Sequence, residues 1–174
     1  MQKATNTLAL FARGREIGFV WLENGLLYRY GVKTIKGKRY GRAFYKRIGK
    51  SLKRLLENLC PDGMVVIERV DNQCKLGELA KALPGIVEQF VGDVYPLISL
   101  SLVEVKLRLC GSAKATHLDL IEIIAQREPI FLSLIKDGKA QQRNYWKKML
   151  IAMALAEAVQ NRMGVCQYRN TQLK

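Results

Sequence analysis

Short apolar runs alternate with polar turns along the first 34 positions. Thr7-Leu-Ala-Leu-Phe-Ala12 predicts a strand, Arg13-Gly14-Arg15 a turn, and Ile17-Gly-Phe-Val-Trp-Leu22 a second strand. Glu23-Asn24-Gly25 marks a hairpin, because Asn and Gly accept the backbone angles of a tight turn. Leu26–Thr34 continues as a third strand. The period then changes. Phe44, Ile48, Leu52, Leu55, Leu56 and Leu59 recur at helical spacing, and Lys46, Arg47, Lys50, Lys53 and Arg54 fall largely off that stripe. Pro61-Asp62-Gly63 opens a buried strand, Met64-Val-Val-Ile-Glu68-Arg-Val70. Residues 76–91 predict a helix disturbed by Pro84-Gly85, and residues 95–105 a fifth strand. Residues 111–115 form a loop. Thr116 is the N-cap of a helix over His117–Arg127, with Asp119 in its first turn. Residues 136–143 read as a polar linker, and residues 145–162 as a last helix ended by Met163-Gly164. An antiparallel opening followed by alternating helices and strands predicts a three-layer α/β fold with a mixed sheet, as one domain over residues 1–174.

One carboxylate is out of place in this pattern. Glu68 ends an apolar strand, where burial of a charge demands a cation or a metal as partner. The charge balance adds a second clue. The 174-residue chain carries a net charge of +14, yet 49% of its residues are hydrophobic, so it is globular and strongly basic. A basic folded surface suits a polyanion, nucleic acid first. Residues 33–54 hold ten lysines and arginines and no acid. A face that serves only solubility mixes both signs. Tyr28, Tyr30, Tyr40 and Tyr45 are interleaved with these cations, which suits stacking on bases or sugars. Tyr28 and Tyr30 also have the strand period of packing residues.

Other chemistry is poorly represented. Cys60, Cys74, Cys110 and Cys166 form no C-x-x-C pair and His117 is the lone histidine, so a zinc site lacks its ligands. The cysteines read as reduced and mostly buried, in a cytoplasmic protein. His117 has no Ser or Cys at a catalytic spacing and reads as a surface or packing residue. Trp21 and Trp146 read as core or boundary aromatics. No signal-peptide core and no apolar stretch of membrane-spanning length occur, which argues against a membrane partner.

Several short words, in this order, resemble the RuvC family of Holliday-junction resolvases, built on the ribonuclease H-like fold. Pro61-Asp62 with Val65-Val-Ile-Glu68-Arg-Val70 resembles the strand that ends in that family's second catalytic glutamate. Lys75-Leu76-Gly77 resembles the start of its next helix. Val105-Lys106 through Gly111-Ser112-Ala113-Lys114 resembles a basic, glycine-containing segment before a helix. Ala152-Met-Ala-Leu-Ala156 resembles the small residues of its last helix. The resemblance implies a mixed five-stranded sheet between helical layers and a homodimer. It also implies four carboxylates holding two divalent metals, Mg²⁺ in an active enzyme.

Glu68 matches one of the four acids. The other positions carry Ala12, Lys148 and Ile151, and Glu16, Asp71, Asp119 and Glu157 make no evident substitute cage. The first reading is therefore a RuvC-like nucleic-acid-binding protein that has lost its metals, with Glu68 vestigial and no cofactor. It would grip branched or duplex nucleic acid, DNA ahead of RNA, by the phosphates. Lys33, Lys36, Lys38, Arg39, Arg42, Lys46, Arg47, Lys50, Lys106 and Lys114 are its candidate contacts. Lys148 is the expected partner of Glu68, with Arg13 and Lys147 in reserve. An active Mg²⁺-dependent, structure-selective endonuclease and a structural subunit of a ribonucleoprotein are the alternatives.

Overall fold

The computed structural model describes residues 6–36, 41–57, 63–70, 78–91, 95–136 and 140–162. β1 (Thr7–Arg13), β2 (Glu16–Glu23) and β3 (Leu26–Thr34) form an antiparallel meander. The β2–β3 turn needs positive φ, and Asn24 (52°) and Gly25 (78°) provide it. β4 (Met64–Glu68) then pairs parallel with the other side of β1, and β5 (Leu97–Leu100) pairs parallel with β4. The sheet is mixed and five-stranded, in the order β3-β2-β1-β4-β5.

Strand alternation divides the core into two layers. Leu8, Leu10 and Ala12 of β1, with Val65 and Ile67 of β4, face α1 (Arg42–Leu56) and α2 (Glu78–Val91). The α1 stripe Phe44, Ile48, Leu52 and Leu56 is buried there, as its period requires. Ala9 and Phe11 of β1, with Val66 of β4, face the opposite layer. That layer comprises α3 (Leu102–Cys110), α4 (His117–Arg127), α5 (Ile130–Lys136) and the 23-residue α6 (Ala140–Arg162). α6 runs against β1, β2, β3 and β4. Its approach to β2 is backbone on backbone. A Cβ at Gly18 would lie 2.3 Å from both the Lys148 carbonyl carbon and its oxygen. Further along, the Tyr145 hydroxyl donates 2.6 Å to the Val32 carbonyl of β3.

Two expectations change. The apolar segment at residues 95–105 is a strand only over Leu97–Leu100, and α3 begins at once behind it. Ser101 and Glu104 form a reciprocal capping box, which satisfies backbone donors that a helix start leaves without partners. Removing the Ser101 hydroxyl by Ser101→Ala should cost about 1 kcal/mol of stability in urea titration; an unchanged midpoint would mean that tertiary packing alone sets this boundary. The second change is at residues 136–143. The expected linker ends α5 at Lys136 and starts α6 at Ala140. Thr116 and Asp119 form the expected cap of α4, whereas the disturbance expected at Pro84-Gly85 does not interrupt α2, which is helical through both residues. Cys110 is half-buried with a free thiol, and Cys60, Cys74 and Cys166 lie outside the described residues.

Candidate functional site at the carboxyl ends of the central strands

β1 and β4 run parallel, so their carboxyl ends lie side by side. Leu10 pairs with Ile67, which brings Arg13 and Glu68 to the same edge of the sheet. Period two puts Arg13 on the face of Ala9 and Phe11, and Glu68 on the face of Val66. Both therefore point into the layer of α6. Glu68 is only 7% exposed. Arg13 meets it with a two-pronged fork: Nη1 donates to Oε2 at 2.5 Å and Nη2 to Oε1 at 2.7 Å. Nη1 also donates to the Ala12 carbonyl at 2.8 Å, and the guanidinium sits 4.3 Å from the centre of the Phe11 ring. The planar fork matches a carboxylate's two oxygens in a way that an ammonium cannot.

The expected partner, Lys148, instead forms an ion pair with Glu16 at the start of β2. The shift follows from the helix position. Gly18 lets the α6 backbone settle on β2 at Lys148, so this side chain emerges beside β2 and the adjoining turn. Arg69, just past the end of β4, pairs with Glu104 of α3 at 2.8 Å. Glu157 is buried and pairs with Arg127 at 2.7 Å. His117, at the start of α4, has a closer relation to the site than its sequence setting suggests. Burial lowers its pKa, and the neighbouring charges of Lys106 and Arg13 lower it further against the opposing pull of Glu68. The neutral imidazole is thus favoured at this exposed helix start.

Two solved structures of a bacterial RuvC share this fold. Thermus thermophilus RuvC matches with a TM-score of 0.64 at 18% sequence identity, over 92% of this chain and 97% of that one. T. thermophilus RuvC in complex with a Holliday junction substrate matches with a TM-score of 0.66 at 16% identity, over 92% and 96%. The chain has the RuvC fold. No protein-family model matches its sequence, and no curated protein sequence matches it significantly.

The resemblance to RuvC implies a metal cage around Glu68, and the described residues do not fit one; Asp71 lies outside them. Both Glu68 oxygens accept from Arg13. Among the described residues, no group of three or more His, Cys, Asp and Glu stands together to hold an ion. Ile151 lies in the apolar core of α6, and Lys148 is committed to Glu16. Ala12 is not the neighbour of Glu68, because its side chain faces the α1 layer. The β1 residue level with Glu68 on the shared face is Phe11, one place earlier. The strand position that the resemblance gave to an acid is thus corrected by one residue, and an aromatic ring stands there.

The basic candidates divide between the two layers. Arg42, Lys46, Arg47 and Lys50 are exposed on α1, and Lys36 is exposed just beyond β3. Lys33 is half-buried on β3, and Lys38 and Arg39 lie outside the described residues. Arg47 has a structural task, donating 2.7 Å to the Lys36 carbonyl. Lys106 is half-buried on α3, close enough to influence His117, and Lys114 is exposed in the loop before α4. Of the interleaved tyrosines, Tyr30 stacks edge-on against Phe131 inside the protein, Tyr28 and Tyr45 are exposed, and Tyr40 lies outside the described residues. Trp21 is buried, and Trp146 packs at the core boundary.

Proposed function

We propose that this chain is a nucleic-acid-binding protein on the RuvC frame that works without catalytic metals. The observation that carries the reading is the Arg13 fork on Glu68. A guanidinium stands at the carboxylate that the resemblance assigns to a metal, and it neutralises the buried charge itself. The chain keeps a basic exterior while its described residues offer no cage for Mg²⁺. Such a protein holds branched or duplex DNA by its phosphates and leaves it intact. The solved RuvC complex with a Holliday junction substrate supports junction DNA as the first probe. A homodimer, as the resemblance implies, and a cytoplasmic setting, where nucleic acid is at hand, belong to the same reading.

The test combines binding and cleavage. Labelled junction, duplex and single-stranded DNA, and the corresponding RNAs, are incubated with the protein and Mg²⁺ or Mn²⁺. Binding without cleavage is the expected result, with junction or duplex DNA preferred. If about five cations meet phosphates, log K falls against log salt with a slope of roughly −4 to −5. Affinity that is absent at low salt, or insensitive to salt, would remove nucleic acid as the partner. Cleavage that vanishes in Glu68→Gln would instead restore the endonuclease. Sedimentation in the same buffer reads the oligomeric state.

A further inference from the structure

The exposed cations of α1 do not lie beside Glu68. α1 covers one face of the sheet, whereas Arg13 and Glu68 point into the layer on the other. On its outer side α1 forms a groove with α2, lined by Arg42, Tyr45, Lys46, Lys50 and Lys53, with Ile86 and Gln89 on the α2 side. Gly49 and Ala43 keep its floor low. The groove has a volume of about 880 Å³, and no acid among the described residues lines it. The nearest acidic pairing is at one end, where Lys53 reaches Glu57 at 3.7 Å; both side chains are exposed, so the contact is weak and exchangeable.

The spacing of these cations has a plain geometric consequence. Arg42, Lys46 and Lys50 recur every four residues, and Lys53 follows three later, so they line one side of the helix. At 1.5 Å per residue the row is about 16 Å long. A row of that length can follow a short stretch of one phosphate backbone. Tyr45 stands exposed beside the row, placed to cover a sugar or an unpaired base. A solvated helix face has no need of a concave, acid-free row of this length.

We propose that the α1–α2 groove is a second nucleic-acid site, separate from the Arg13–Glu68 end, and that one chain therefore holds two backbone segments at once. This rests on the nucleic-acid reading above and adds to it a bridging activity. The other segment lies at the opposite layer, where Lys106 and Lys114 are the candidate cations. A protein with two such faces pins two duplex arms, or two separate duplexes, instead of cutting a crossing between them.

The test uses a duplex fixed to beads and a second, labelled duplex in solution. The full-length protein should carry the labelled duplex onto the beads. Lys46→Glu with Lys50→Glu should abolish this capture while keeping binding to a single duplex in solution, and Lys106→Glu with Lys114→Glu should do the same. Circular dichroism and the sedimentation profile should match the unaltered protein in both cases, so that neither misfolding nor loss of a dimer explains the result. A protein that binds one duplex but never captures a second overturns the bridging inference and leaves the nucleic-acid reading intact. So does a groove variant that loses all binding, since the groove would then be the only site, and so does one that captures normally. Failure of the unaltered protein to bind any duplex sinks both.

Discussion

Gly18→Ala should destabilise the protein more than any other single-methyl change in the sheet. The added carbon would sit 2.3 Å from the Lys148 carbonyl carbon and oxygen and 2.6 Å from the Met149 nitrogen. All three are backbone atoms of α6, so no side-chain rotation relieves the clash. Either α6 lifts from β2 or the sheet bends. Overpacking of this kind costs about 1–3 kcal/mol, and the rigid partners on both sides place Gly18 at or above the top of that range. Gly85→Ala is the matched control. It lies inside α2, and a Cβ there meets nothing within 4 Å. It should stabilise by about 0.5–1 kcal/mol through reduced chain entropy. Urea titration of both variants reads the contrast. Equal midpoints would mean that α6 does not seat on β2 at this point.

The second large effect concerns Arg13. Arg13→Met keeps the length and apolar body of the side chain but strands Glu68, a carboxylate only 7% exposed. Breaking a buried pair from one side costs about 3–5 kcal/mol. The Arg13 side chain is 22% exposed, which admits some water to the pair and points to the lower end, about 3 kcal/mol. Arg13→Lys should cost less, because the charge remains and one of two bonds is lost. The double variant Arg13→Met with Glu68→Gln should recover much of the loss, because no buried ion is then left alone. The coupling from the full cycle is the decisive quantity. Additive losses would show that Glu68 is held by something other than the fork.

Much of the fold was legible from periodicity, because the opening elements obey it strictly. Period two carries β1 to β3, Asn24-Gly25 supplies the turn, and the Phe44–Ile48–Leu52 stripe buries α1 where its spacing requires. The segment at residues 95–105 was misleading for a specific reason. Its apolar and serine positions alternate like a strand, while the Ser101–Glu104 pair that starts α3 is a local signal of only two residues. The start of α6 was hidden by composition. Ala140, Gln141, Gln142 and Arg143 are polar or small, which suggests a linker, yet all are strong helix formers.

The site was legible in part. Burial of Glu68 and its need for a cation follow from the strand pattern alone. The identity of the cation does not, because it depends on where a distant helix seats. Alternation along β1 held the answer, since Arg13 shares a face with Phe11 and Ala9, and Ala12 does not. His117 was unreadable as a neighbour of the site. Its proximity is made by the α3–α4 connection and has no signature in spacing.

The seating of α6 also sets the order in which this chain can mature. The strands it covers are complete by residue 68, but the helix itself begins only at Ala140. During synthesis, at about 5–20 residues per second, one face of the young sheet therefore waits several seconds without its cover. Ala9, Phe11, Val20, Leu22 and Val66 lack the cover of α6 throughout that interval. Such long-range closure makes for slow folding and a sticky intermediate. The yield of native protein in a cell should depend on translation speed and on chaperones that shield nascent sheets, more than its final stability would suggest.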